Sequence, residues 1–415
     1  MKELKRLTTL AQPFRCPFCF EAFEAQEIVF RCQTRTCKGQ KVDPVYANFR
    51  SNAQSMGGEI GGALMGNVID PPKQSEEKKH PLWERATLPR SATCSFCGKE
   101  SRTYLCPTCH FELPHDIESV RPWNIAIVGS RGGGKSFLIG SFIHALQNHL
   151  VTSMGITMSM LEDDTQERWL RDFYRPIFRD RTLLPPTEPA ETDMRVKIPL
   201  ILRLTKAGLL RNHYANLSLF DSSGEDMNKS RTISEHVRSM IFADGLVFVI
   251  DPWQIRSVRD RLADRGIQPT AINEMSSPES LLDRLFGLLE REERIKVGSK
   301  VSIPTAFVVT KIDTLKPLLD PGSLLMSTST HSHTLNLKEI ETVSEEVKGW
   351  LARWLTPGFL GKIEQRFTCY SYFGVSALGD QPHAGARLEV LDTLRVEEPF
   401  LWILYKKGFV QGKRA

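Results

Sequence analysis

The sequence predicts an α/β fold with a cysteine-rich, metal-binding region ahead of it, and three observations carry that expectation. An apolar run, Ile125-Ala126-Ile127-Val128, leads into Gly129-Ser130-Arg131-Gly132-Gly133-Gly134-Lys135-Ser136, and Phe137, Leu138, Phe142, Ile143 and Leu146 follow at helical spacing. Further short apolar runs recur downstream, separated by helical stretches and each ending in polar residues capable of chemistry. Eight of the nine cysteines fall between Cys16 and Cys109, most of them in C-x-x-C pairs.

A chain of 415 residues, 41% of them hydrophobic, is long enough for two or three units at ~150 residues each. The net charge of +5 is compatible with an acidic partner but far from the dense basic face of a dedicated nucleic-acid binder, so charge does not indicate nucleic acid. Met1 to Gln12 has basic residues without an apolar core, and no apolar run approaches the ~18 residues that cross a bilayer. The expectation is a soluble, cytoplasmic protein with no membrane span. In such a reducing compartment, paired cysteines read as metal ligands rather than disulfides.

Residues 1–120 are expected to form a zinc-ribbon region. Cys16-Pro-Phe-Cys19 is followed by Cys32 and Cys37, and Cys94-Ser-Phe-Cys97 by Cys106-Pro-Thr-Cys109. A C-x-x-C turn points two thiolates at one ion, and two such pairs complete the tetrahedron that Zn²⁺ favours. The second group reads as a compact ribbon on its own; the first, with four residues between Cys32 and Cys37, is less regular but within range. Cross-bracing, in which a pair from each group shares an ion, satisfies the same spacing, and the sequence does not choose between them. His110 and His115 lie close enough to substitute as ligands, and an iron–sulfur cluster is a further use of four thiolates. Four thiolates close the coordination sphere, so the role expected is structural, with the ribbon as a docking surface for protein or nucleic acid. Residues 51–80, rich in Gly, Ser, Asn and Gln, read as a mobile insertion, and Phe111 to Pro122 as the link to a domain spanning 121–415.

The glycine-rich stretch is a complete G-x-x-x-x-G-K-S phosphate loop. Its glycines let backbone N–H groups from Gly129 to Phe137 turn around a phosphate, Lys135 reaches the β- and γ-phosphates, and the Ser136 hydroxyl ligates Mg²⁺. The loop alone does not separate ATP from GTP.

Downstream, Trp169, Leu170, Phe173, Tyr174 and Ile177 give helical spacing within Thr152 to Asp180, and a proline-broken stretch follows from Leu183 to Thr192. Strands are expected at Val196 to Leu204 and at Leu217 to Phe220, the latter ending in Asp221-Ser222-Ser223-Gly224. There Asp221 can hold Mg²⁺ through water, and the Gly224 N–H can meet a γ-phosphate. A strand at Gly245 to Ile250 ends in Asp251-Pro252, and Leu281, Leu282, Leu285, Leu288 and Leu289 form a stripe read as core. Ala306 to Val309 leads into Thr310-Lys311-Ile312-Asp313, and Cys369 to Val375 into Ser376-Ala377-Leu378-Gly379.

The ordered set GxxxxGKS, DxxG, TKxD and SA, each at a strand's end, resembles the translation-factor-related (TRAFAC) class of P-loop GTPases over most of residues 121–405. The resemblance implies a Ras-like fold, a mostly parallel doubly wound sheet with one antiparallel strand, and GTP or GDP as ligand. It implies that Asp313 accepts from guanine N1–H and the exocyclic amine, that Lys311 packs on the base, and that the Ala377 N–H faces O6. Asp221 to Asp226 and Arg395 to Trp402 look like the double-GTPase type of bacterial defence operons, which implies a second GTPase or an operon product as partner.

The Mg²⁺-ligating switch threonine is Thr187 or Thr192 in this pattern, with Thr192 favoured because it leaves room for one hairpin before Asp221. Glu225 follows the D-x-x-G glycine where many relatives carry a glutamine, so slow intrinsic hydrolysis is expected. Arg131 either acts as an arginine finger or points to solvent. The function expected is a GTP-hydrolysing switch whose ribbon region recruits a protein partner. A nucleic-acid-associated GTPase and a barely hydrolysing nucleotide-binding scaffold are the alternatives.

Overall fold

The computed structural model describes residues 13–51, 66–71, 88–120, 122–161, 163–184, 199–208, 212–221, 235–267, 277–379, 388 and 391–414. The chain divides into two compact units, one running to Pro122 and the other beginning at Trp123.

The larger unit is built on a seven-stranded sheet. Its strands are β1 (Pro122–Gly129), β2 (Ile156–Met160), β3 (Leu200–Lys206), β4 (His213–Phe220), β5 (Gly245–Ile250), β6 (Thr305–Val309) and β7 (Tyr370–Gly374). They lie in the order β7-β6-β5-β1-β4-β3-β2, which puts β1 at the centre. Parallel pairing joins β1 to β5, β5 to β6 and β6 to β7, while β3 runs antiparallel to both β4 and β2.

Period-two alternation distributes the strand residues to two cores. Ile125, Ile127, Val247, Val249, Ala306 and Val308 face one side of the sheet, under α1 (Lys135–Asn148) and α6 (Glu398–Lys406). Ala126, Val128, Phe248, Phe307 and Val309 face the other, under α2 (Arg256–Ala263), α3 (Pro278–Arg291), α4 (Leu337–Trp354) and α5 (Pro357–Arg366). Burial on both faces is why these strands read as unbroken apolar runs. Each buried Ile, Val or Phe contributes ~1.5–3 kcal/mol. Phe142 of α1 stacks on Phe400 of α6 at 4.0 Å, fixing two helices of one layer to each other.

Strand β2 falls inside a stretch that the sequence presents as helical. Gly155, at φ 63°, ends the preceding helical turn, and the five residues that follow pair with β3 as an edge strand. At that length, with one buried residue, Ile156, the alternation is too short to stand out. The helical spacing from Trp169 is real, and Trp169, Phe173 and Ile177 pack against the core. The strand expected from Val196 begins at Leu200, and residues 196–198 lie outside the described residues.

The smaller unit holds a three-stranded antiparallel sheet, with Val29–Arg31 between Val68–Ile69 and Thr103–Leu105. Two hairpins flank it, Phe14–Arg15 with Ala22–Phe23, and Ala92–Thr93 with Glu100–Ser101. Val68–Ile69 makes residues 66–71, within the stretch 51–80 expected as a mobile insertion, part of the sheet rather than a loop, while residues 52–65 and 72–80 lie outside the described residues. Ile69 pairs with Phe30, Cys32 N–H donates to Asn67 O at 2.9 Å, and a Cβ on Gly66 would lie 1.9 Å from the Cys32 carbonyl oxygen. Nor is Phe111 to Pro122 simply a link, because Phe111, Leu113 and Ile117 are core residues of this unit. Among the described residues, no helix is long and apolar enough to cross a membrane.

Candidate functional site

The phosphate loop turns off the end of central strand β1 and into α1. Gly132 and Gly134 adopt φ of 73° and 88°, left-handed values that a side chain would strain. Gly134 caps α1 without a side chain, so the first N–H groups of the helix are left to a ligand, with the positive end of the dipole behind them. Lys135 is buried, and its ammonium donates to Gly129 O at 3.0 Å and Ser130 O at 2.7 Å, which holds it inside the curl of the loop. Ser136 lies in the first turn of α1. Arg131 is half-buried, between the two readings its sequence allows, and Phe137 is half-buried against the core.

The loops after β6 and β7 close on the same corner. Thr310 Oγ1 donates to Gly133 O at 2.9 Å. Lys311, at φ 55°, sends its ammonium to Gly132 O at 2.9 Å and to Asp251 Oδ2 at 2.7 Å. The Ser376 hydroxyl donates to Asp313 Oδ1 and accepts from Gly379 N–H at 2.9 Å. Ala377 O accepts from Ser141 of α1 at 3.0 Å, and Ser376 exchanges both backbone hydrogen bonds with Leu394. The loop from β1 and the loops from β6 and β7 are thus joined by named contacts before any ligand arrives.

Asp221 follows the last residue of β4 and is half-buried. Thr187, Thr192, Gly224 and Glu225 lie outside the described residues. Two further residues enter the site that sequence reasoning passed over. Asp251, buried at the end of β5, anchors Lys311 and accepts from Trp253 N–H at 3.0 Å, while Gln254 donates from its amide to Ser130 Oγ. The one available signal was Asp251-Pro-Trp-Gln254 at the end of a strand neighbouring β1.

In the smaller unit the eight cysteines form two clusters that cross between the sequence groups. Cys16 and Cys19 meet Cys106 and Cys109, and Cys32 and Cys37 meet Cys94 and Cys97. The second sequence group is therefore not a self-contained ribbon. The cause is the antiparallel register of Arg31 on Thr103 and Val29 on Leu105, which carries Cys32 toward Arg102 and Cys106 toward Ile28.

The clusters fit a tetrahedral metal. Four sulfurs at ~2.3 Å from Zn²⁺ stand about 3.8 Å apart along the tetrahedron's edges. The observed separations are 3.7 Å for Cys16 to Cys109, Cys19 to Cys106 and Cys32 to Cys97, and 3.8 Å for Cys37 to Cys94. No cysteine is in a disulfide. Phe18, Thr108 and Gly39 N–H each donate to a cluster sulfur at 3.4 Å, and Phe20, His110 and Gly98 turn through positive φ to close three of the knuckles. Burial pushes the Cys16 and Cys109 thiols well above their ordinary range, so four ionised sulfurs need a cation among them. His110 does not substitute as a ligand. Its Nδ1 bonds the buried Asp43 carboxylate at 2.9 Å, which also pairs with buried Arg31 at 3.2 Å. His115 is exposed.

No protein-family model matches the chain. A protein of Mycolicibacterium smegmatis, named as a candidate ESX-1 scaffolding and assembly protein, SaeC, is 25% identical over 318 residues, covering 72% of this chain and 78% of its own. Structural neighbours are small GTPases and GTPase-like domains. The small GTPase Arl6 (BBS3) of Trypanosoma brucei, with bound GppNp, has a TM-score of 0.25 and 12% identity, over 69% of this chain and 98% of its own. Sup35 with GDP has a TM-score of 0.25 and 16% identity, over 64% and 40%. The S. cerevisiae Ski7 GTPase-like domain with GTP has a TM-score of 0.31 and 12% identity, over 72% and 53%. This chain thus covers about half or less of the Ski7 and Sup35 chains, and scores at this level carry no argument of their own.

Proposed function

We propose that the chain is a guanine-nucleotide-binding switch with a Ras-like P-loop fold, in which the smaller unit holds two structural zinc ions and carries the contact to a protein partner. The observation that supports it best is the pre-assembled corner. Asp313 is held by Ser376, and Thr310 and Lys311 are tied to the carbonyls of Gly133 and Gly132. A carboxylate so held presents two acceptor oxygens, and guanine, with N1–H and an exocyclic amine on one edge, offers two donors to match. The strand order, with the phosphate loop on central β1 and the base loops on β6 and β7, supports the same reading.

In this reading Lys135 and the amides of the loop from Gly129 to Phe137 take the phosphates. Ser136, Thr192 and Asp221 hold Mg²⁺, which neutralises charge on the β- and γ-oxygens. The Gly224 amide meets the γ-phosphate, and Thr310, Lys311, Asp313, Ser376 and Ala377 read the base. Glu225 and Arg131 govern hydrolysis. A glutamate can accept from the attacking water but cannot donate to the transition state, so turnover is slow unless Arg131 or a partner compensates.

The scaffold reading is favoured by the relative named for scaffolding and assembly, and it goes ahead of a role in bacterial defence, which rests on short motifs. Membership of the translation-factor-related class rests on the order of the four motifs. The test is equilibrium binding of GTP and ATP to the full chain, with turnover followed on the same sample. Preference for GTP is expected, and equal affinity for ATP overturns the reading.

A further inference from the structure

Cross-bracing sorts charges as well as ligands. The segments that meet at the Cys32, Cys37, Cys94 and Cys97 cluster, residues 32–41 and 94–102, carry Arg35, Lys38, Lys41, Lys99 and Arg102, all exposed, against the single carboxylate of Glu100. The segments of the other cluster, residues 14–27 and 104–118, carry Glu21, Glu24, Glu27, Glu112, Asp116 and Glu118 against Arg15. Zn²⁺ with four thiolates leaves a charge of about −2 at each site, yet the first set remains positive and the second becomes more negative.

Phe96 belongs to the positive set. It is the third residue of the Cys94-Ser95-Phe96-Cys97 knuckle and is 56% exposed, so burial does not explain it. Its ring lies against Gly39 of the facing segment, where a Cβ would come within 2.5 Å of the ring carbons. Glycine lets the backbone pass beneath the ring, which stays fixed at the surface by two segments anchored at the same cluster.

We propose that this end of the smaller unit binds single-stranded nucleic acid, with Phe96 as a stacking platform for an unpaired base and Arg35, Lys38, Lys41 and Lys99 on the flanking phosphates. Arg102 is partly engaged by Glu100, at 3.7 Å. An exposed aromatic face among cations suits a strand that offers a flat base beside each phosphate, and stacking needs that base unpaired. An acidic protein segment would use the same cations, but its carboxylates are repelled by the electron-rich face of the ring, on which a base stacks. The carboxylates of the other cluster repel a polyanion and orient it toward this end.

The test is fluorescence anisotropy of the full chain with labelled single strands of about 10 nucleotides, dT and rU, at several salt concentrations, with duplex and polyglutamate as competitors. The expected result is salt-dependent binding of the single strand. Phe96→Ala should lower affinity roughly 5- to 150-fold with an unchanged salt slope and unchanged metal content. Lys38→Gln and Lys41→Gln should each reduce the log–log salt slope by about 0.7 while leaving the ring in place. Absence of single-strand binding overturns the proposal, as does wild-type affinity in Phe96→Ala. Polyglutamate competing as well as nucleic acid, with Phe96→Ala silent, reassigns the surface to an acidic protein. None of these readouts depends on the nucleotide site of the larger unit.

Discussion

Replacing Cys94 and Cys97 with serine removes half the ligands of one cluster, and the observed pairing names the thiols that lose their partners. They are the distant Cys32 and Cys37, and not Cys106 and Cys109, their neighbours in sequence. The sulfur contacts across this cluster join residues 57 and 65 apart in the chain. By chain entropy, a cross-link over loops of that length is worth about 4 kcal/mol at 25 °C. A small domain has only ~5–15 kcal/mol in total, so losing the tie should loosen the Cys32 end of the smaller unit. The other cluster, whose contacts span 87 and 93 residues, should hold. Alkylation of the native variant followed by mass spectrometry reads this directly: Cys32 and Cys37 become labelled, Cys16, Cys19, Cys106 and Cys109 stay protected, and zinc falls from about two ions per chain to about one. The larger unit has two cores of its own and should keep its melting transition. Labelling of Cys106 and Cys109 with protection of Cys32 and Cys37 would refute the cross-braced arrangement.

Four other outcomes follow, three at the nucleotide corner and one at the buried pair of Glu339 with Arg395. Asp313→Asn removes an acceptor held by Ser376, so GTP affinity should fall roughly 30- to 150-fold and xanthine nucleotide binding should improve, as read by calorimetry. Asp251→Ala leaves Lys311 with the Gly132 carbonyl; because the Lys311 side chain is a third exposed, the loss is about 1–2 kcal/mol, seen as a 5- to 30-fold weaker GTP affinity. Arg131→Ala should cut turnover far more than GTP affinity if the guanidinium acts on the γ-phosphate, and an unchanged rate makes it a spectator. Glu339 is pushed up by burial, but bonds from Thr330 and Arg395 hold its carboxyl below the usual glutamate range. Its stabilisation is therefore complete above that ordinary range and is lost as pH falls through the lowered value, so thermal melts of Glu339→Gln should lack that part of the wild type's acid loss.

The phosphate loop could be read from sequence because strand, glycines, Lys135 and the helix are consecutive, and local chemistry fixes what each does. Strands β1, β5 and β6 were legible for a related reason: burial on both faces makes each carry an unbroken apolar run, while edge strand β7 was marked by its aromatic residues, Tyr370, Tyr372 and Phe373. Asp251 and Gln254 were not, because a polar residue after a strand is commonplace, and only the sheet order brings this pair beside Ser130 and Lys311. Strand β2 was hidden by its length and its edge position. Val68–Ile69 was hidden by composition, since the Gly- and Asn-rich stretch around it lacks the apolar content that normally marks order, and two residues pairing with Phe30 and Arg31 leave no pattern.

The pairing of the cysteines shows what such long-range information decides. Had each sequence group closed on its own ion, Glu21, Glu24 and Glu27 would share a ribbon with Arg35, Lys38 and Lys41, and Lys99 and Arg102 would share the other with Glu112, Asp116 and Glu118. Cations and carboxylates would then be mixed within each ribbon rather than sorted to different ends. Three residue pairs of antiparallel register, Val29 on Leu105, Phe30 on Tyr104 and Arg31 on Thr103, exchange the halves instead. The exchange gathers the cations with Phe96 and the carboxylates with the other cluster. It also makes the charge separation depend on both metal ties, so chelation should weaken polyanion binding together with the fold of the smaller unit, while the nucleotide corner of the larger unit keeps its own hydrogen bonds.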